Sequence, residues 1–194
     1  TLGAIFSPEH GIFGKEDHEG IGDAVDPATK VKIWSLYKDA NRRPSAAMLA
    51  GIDVVVFDIQ DVGSRFYTYL STMRNVMEEA DKRGLPFVVL DRPNPITGVK
   101  VEGPVLTKGS ESFIGTHTIA LRHGMTVGEI AKLLHSELGM KGRLEVVAMK
   151  GWQRGDWFDA TSLSWVDPSP NMRSLNAALL YPGVGMLESA KNYS

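Results

Sequence analysis

Acidic side chains stand just after three apolar runs of this sequence: Glu9 beside His10 after Leu2–Phe6, Asp58 and Asp61 after Ile52–Phe57, and Asp91 beside Arg92 after Phe87–Leu90. Carboxylates gathered in one place repel when ionised, so one of a cluster tends to keep its proton near neutral pH while another stays charged. Glycoside hydrolysis needs that division of labour: one carboxyl protonates the leaving oxygen, and a second serves as base, nucleophile or stabiliser of the oxocarbenium-like centre. The same donors, Glu9, His10, Asp58, Asp61 and Asp91, could instead ligate a hard metal ion. A sugar-binding module without turnover is the third reading they allow.

Those acids share a site only if the fold brings the strand ends together. Apolar runs of strand length alternate with amphipathic stretches of helix length, the pattern of an α/β domain. The continuous run Ile52–Phe57 suits a strand covered on both faces, as parallel strands are. Between it and Phe87–Leu90, residues Leu70, Met73, Val76, Met77 and Ala80 recur at helical spacing before a stop at Gly84, which makes a βαβ crossover. Thr126 and Glu129 have the spacing of a capping box and open a helix whose buried face carries Ile130, Leu133, Leu134 and Leu138. Leu144–Met149 is a fourth strand. In an open parallel sheet, ligands bind outside the carboxyl ends of the strands, where the loops diverge, so the three acidic clusters fall on one rim. Residues 14–28, rich in Gly, Asp, Glu and Pro, read as a mobile loop. Beyond Gly151 the tryptophans Trp152, Trp157 and Trp165 crowd into loop-like sequence ahead of a helix near Leu175. The expected division is therefore 1–150 for the α/β domain and 151–194 for an active-site loop leading into a second lobe.

Each candidate has a plainer reading beside the functional one. Asp58 and Asp91 could cap the helices that follow them. His117 and His123 could be hydrogen-bonded structural residues. Arg65, Tyr67 and Tyr69 lie where polar and aromatic residues interleave from Asp61 to Tyr69, a composition suited to sugar contact; a surface ion pair is the alternative for Arg65, and ordinary core packing for the two tyrosines. Composition narrows the field. With 194 residues, 43% hydrophobic, the chain can bury a core, and a net charge of −2 gives no electrostatic reason to expect nucleic acid. No cysteine is present, which removes thiolate catalysis and disulfides. No apolar run reaches membrane-spanning length. There is no phosphate-binding loop, dinucleotide fingerprint, nucleophile elbow or zincin motif, so neither a nucleotide nor any other cofactor is expected.

Six segments, in order, carry a resemblance. They are Ser7–Gly11, Asp58–Thr68, Asp91–Pro95, Val101–Pro104, Arg122–Thr126 and Pro168–Met172. Together they resemble the signature blocks of the NamZ-type exo-β-N-acetylmuramidases. One such block would be weak; six in sequence over nearly the whole chain are specific. The resemblance implies a Rossmann-like parallel-sheet domain with helices on both faces, joined to a smaller C-terminal α/β lobe, with the site in the cleft between them. The implied activity is removal of N-acetylmuramic acid from the non-reducing ends of peptidoglycan fragments, in the cell envelope, either periplasmic or secreted, with muramyl sugars as partners. By the same resemblance Glu9 is the catalytic acid/base and Glu102 the second carboxylate. His10 would tune Glu9 by a hydrogen bond; Arg65, Arg122 or His123 would bind the lactyl carboxylate of the muramic sugar, and Asn94 and Asn171 its acetamido group. Family members extend further at both ends, so the chain reads as a piece of a longer protein.

Overall fold

The computed structural model describes residues 1–18 and 20–189. Its elements are β1 (Ile5–Ser7), β2 (Ala24–Val25), β3 (Lys32–Ser35), β4 (Val55–Phe57), α1 (Tyr69–Asp81), β5 (Phe87–Leu90), β6 (Glu102–Val105), β7 (Ala120–Arg122), α2 (Val127–Glu137), β8 (Leu144–Val147) and α3 (Leu175–Val184). β4, β5 and β8 form a parallel sheet in that order, with Val55 opposite Phe87 and Phe87 opposite Leu144. β1 pairs in parallel with β3, and β2 joins β3 antiparallel. β6 and β7 make a separate antiparallel ribbon with an irregular register.

The core explains why the helices form where the spacing predicts them. Leu70, Met73, Met77 and Ala80 of α1 and Ile130, Ala131 and Leu134 of α2 are fully buried against Val55, Phe57, Phe87 and Val89. Truncating one of them, as in Leu70→Ala, costs about 2–5 kcal/mol. α2 begins with the capping box read from the sequence: the Thr126 hydroxyl accepts from the Glu129 amide, and the Glu129 carboxylate accepts from the Thr126 amide at 2.9 Å.

Two expectations change. The α/β class with a parallel sheet holds, but α1 and α2 pack on the same face of it. Val54 and Val56 are therefore 43% and 53% exposed, and no helix among the described residues covers that second face. A continuous apolar run reports that a strand has two apolar faces, without reporting what lies over each. The predicted mobile loop of residues 14–28 contains β2, and the strand it pairs with, β3, was not foreseen. Its signal is the burial of Ile33 and Ser35 alternating with the exposed Lys32.

From Gly151 onward the chain packs back over the rim of the sheet. The Arg154 guanidinium donates to the carbonyls of Gly98 and Gly124 at 3.1 and 2.9 Å. The Phe158 amide donates to Pro95, and the Trp165 indole to Met172, at 3.1 and 3.0 Å. Met172 and Ala178 close a second small core with Val62, Tyr67, Tyr69 and Ile96. α3 starts at Leu175 as the sequence suggests, with Ser174 as its cap. Residues 190–194 of the expected second lobe lie outside the described residues.

Candidate functional site

Glu9 lies immediately past the carboxyl end of β1, partly buried. Tyr37, just past β3, donates its hydroxyl to Glu9 Oε1 at 2.7 Å. Thr68, the residue before α1, donates its hydroxyl to Oε2. The Tyr69 hydroxyl sits between two carbonyls, Glu9 O at 3.3 Å and Pro168 O, so it ties the β1 end to the loop that packs over it. Burial, with the Glu9 charge adding to it, pushes the Tyr69 phenol up to about 12, so it stays a protonated donor across the neutral range. Tyr67 is raised further, again chiefly by burial, and its hydroxyl lies beside Ser169 and Tyr69 without an aligned acceptor among the described residues. The Tyr67 and Tyr69 rings meet edge to face, centroids 4.9 Å apart.

His10 adopts a left-handed backbone, φ 69°, which turns its ring away from Glu9. Its Nδ1 donates to the Glu16 carbonyl at 2.7 Å instead of to the Glu9 carboxylate, so the expected pairing of His10 with Glu9 is not formed. Glu102 stands on the β6 ribbon, a different sheet, where its exposed carboxylate accepts from Arg122 at 2.5 Å.

The remaining acids divide by burial. Asp58 is half exposed and holds Arg92 at 2.7 Å. Asp91 accepts from the Gly128 amide at 2.8 Å, the Thr126 hydroxyl at 3.0 Å and the Arg92 amide at 3.0 Å, so its charge sits at the amino end of α2. A side chain at Gly128 would collide with it, since a Cβ there would come within 2.8 Å of the Asp91 carboxyl carbon. Asp61 is 3% exposed, accepts from the Gly63 amide at 2.8 Å, and faces His123 Nε2 at 3.1 Å. That last contact is within ion-pair range but off the line of a hydrogen bond. His123 Nδ1 accepts from the Met125 amide at 3.2 Å, which places the ring proton on Nε2, toward Asp61.

Most of the expected sugar contacts serve as internal fastenings. Arg65 donates to the carbonyls of Pro104 and Ile119 at 2.8 and 2.7 Å, and burial lowers its guanidinium below its ordinary value. Arg122 is buried and donates to the Ile96 carbonyl, with the Trp157 ring 5.8 Å away. Asn94 bonds the Met125 carbonyl at 2.9 Å and the Ile96 amide at 3.1 Å. It crowds Gly63, φ 84°, where a Cβ would come within 2.7 Å of the Asn94 oxygen, so only glycine fits. His117 donates to Glu137 at 2.9 Å on the outer side of α2, and Asn171 is exposed on the loop before α3.

Beside this framework, at the carboxyl ends of β4 and β5, lies a cavity of about 160 Å³. Arg92 and Gln60 give it polar edges; Pro93, Pro95, Phe158 and Trp165 supply apolar walls. Gln60 closes one side by donating to the Val166 carbonyl at 3.2 Å. The space suits one edge of a sugar rather than a disaccharide. Among the described residues, no three His, Asp or Glu side chains converge on a common ligand point. Tyr37 is the partner of Glu9 that the sequence reading missed; the alternation through β3 was the available signal.

The chain matches, over residues 1–176, the family model described as exo-beta-N-acetylmuramidase NamZ, N-terminal. It is 46% identical over 188 residues to the peptidoglycan beta-N-acetylmuramidase NamZ of Bacillus subtilis (strain 168), covering 96% of this chain and 45% of that protein. Two crystal structures of DUF1343 family proteins from Bacteroides fragilis NCTC 9343 share its fold. One superposes with a TM-score of 0.87 at 41% identity, covering 96% of this chain and 47% of the other. The second gives 0.78 at 33% identity, covering 96% and 48%. The chain thus spans about half the length of the relatives it matches.

Proposed function

The chain belongs to the exo-β-N-acetylmuramidase NamZ family, as its N-terminal part, and we propose that it supplies the acid/base half of a glycosidase releasing N-acetylmuramic acid from peptidoglycan fragments. The observation that carries this reading is the setting of Glu9. Both its carboxylate oxygens are held by hydroxyls, from Tyr37 and Thr68, at the carboxyl end of a parallel strand. A carboxyl group so oriented can pass a proton to a leaving glycosidic oxygen and take one back from water. Hydroxyl partners suit that exchange, because a hydroxyl both donates and accepts and so can follow the proton in either direction.

The second carboxylate in this reading is Glu102. The loop after Gly151, with Trp165 and Phe158 over the cavity, offers apolar surface on which a sugar face packs. The place of action is the cell envelope, where the implied substrate is met, either periplasmic or outside the cell.

The test is release of 4-nitrophenol from 4-nitrophenyl N-acetylmuramide by the full-length protein that contains this chain, beside its Glu9→Gln variant. Turnover lost in a folded Glu9→Gln protein is the expected result. Equal turnover by the variant, or none by the folded wild type, would sink the proposal.

A further inference from the structure

We infer that Arg42 recognises the substrate's carboxylate, the lactyl acid that separates a muramyl sugar from N-acetylglucosamine; the inference rests on the muramidase reading above. Nine of the ten arginines donate to a carboxylate or a backbone carbonyl. Arg42 is the exception: among the described residues its guanidinium meets no oxygen. It lies instead against two aromatic rings, 4.5 Å from the centre of Tyr37 and 4.3 Å from that of Phe113. Stacking of this kind fixes the guanidinium plane while leaving its N–H edge open, which is the arrangement that grips a carboxylate with two parallel hydrogen bonds.

Two further observations point the same way. Arg42 has a left-handed backbone, φ 50°, an unfavourable conformation for a side chain of this size. The Asn75 side chain holds it there by donating to the Arg42 carbonyl at 3.1 Å. Strain maintained by a specific contact is a mark of a working position. The second observation is place. Arg42 rests on the face of the same Tyr37 whose hydroxyl binds Glu9 at 2.7 Å, so one phenol touches both the guanidinium and the carboxylate. In this reading a muramyl sugar lies along Tyr37, with its glycosidic oxygen at Glu9 and the acid on its O3 at Arg42. Arg65 and Arg122, the arginines first suggested by the sequence, are fastened to carbonyls, and His123 is buried.

The experiment uses the full-length protein containing this chain, as wild type, Arg42→Met and Arg42→Lys. Methionine keeps an apolar stem on the two rings while removing the charge. Rates are measured on 4-nitrophenyl N-acetylmuramide and 4-nitrophenyl N-acetylglucosaminide, and free N-acetylmuramic acid and N-acetylglucosamine are titrated by calorimetry. The muramide-to-glucosaminide ratio of kcat/KM is expected to fall tenfold or more in Arg42→Met, chiefly through KM, with part recovered in Arg42→Lys. A folded Arg42→Met protein that keeps the ratio overturns the inference; if that variant fails to fold, Arg42→Gln is judged by the same criterion. If the wild type hydrolyses neither glycoside, the muramidase reading fails and calorimetry decides alone. A preference for N-acetylmuramic acid that disappears with Arg42 then supports the inference, and equal wild-type affinities for both sugars overturn it.

Discussion

Glu9 and Asp91 each follow a parallel strand, yet their carboxylates meet different partners. Asp91 is fastened by two backbone amides and the Thr126 hydroxyl, all at or beside the start of α2. Glu9 is held by two side-chain hydroxyls, from residues after β3 and before α1, and, among the described residues, by no backbone amide. Amides donate only, and α2 fixes two of the three donors to Asp91, so it is committed to architecture. Hydroxyls rotate and also accept, so Glu9 can exchange partners with a substrate. The chemical type of the donors, more than the position of the acid, separates the carboxylate proposed to act from the one that fastens α2.

The largest effect that would sharpen this contrast is on turnover: Glu9→Gln should lower kcat/KM by about 10²–10⁴-fold with little change in melting temperature. Steady-state kinetics beside a thermal melt would show it, and a matching loss of stability would break the distinction. Asp91→Ala should do the reverse. It strips the start of α2 of its acceptor and should cost about 1–3 kcal/mol, a fall of roughly 2–4 °C in Tm per kcal/mol, readable by calorimetry. Next in size, Thr68→Val should reduce kcat about tenfold at nearly constant KM, with Thr68→Ser restoring most of it. A change confined to KM would mean that Thr68 binds substrate instead of holding Glu9.

The smallest effect concerns pH and tests acids with only structural partners. Burial tends to raise Glu78, but hydrogen bonds from Arg74 and Arg43 outweigh it and hold it below its ordinary value of 4.5. Glu79 is likewise raised by burial and lowered, on balance, by Lys82 and Arg83. Their folded values lie below their unfolded ones, so the stability they confer is present above about 4.5 and is lost as the pH falls through the depressed values. Denaturant melts from neutral to acid pH should show that loss, and Glu79→Gln should flatten part of it.

Much of this was legible in the residues. The spacing of Leu70, Met73, Val76 and Met77 requires a helix that buries one face, and Thr126 with Glu129 requires a cap, because both are local geometry. Glu9 stood out through the resemblance carried by six ordered segments, which also pointed to the family. The candidate sugar contacts were less legible. Asp61, Asn94, Arg65 and His123 are polar residues in loops and Arg122 ends β7, and no spacing rule says whether such a side chain turns toward solvent or inward. Only the packed structure shows that they turn inward and bond backbone amides and carbonyls of neighbouring segments. The roles of Tyr37 and Arg42 were hard to read for the converse reason. Tyr37 stands 28 residues beyond the carboxylate it holds, and only the pairing of β1 with β3 closes that distance. The sequence by itself determined the periodic elements and the chemical types at the strand ends, since these depend on neighbours along the chain. Tertiary structure alone decided which groups were left free to act, since a polar atom's availability depends on what the rest of the fold has already bonded to it.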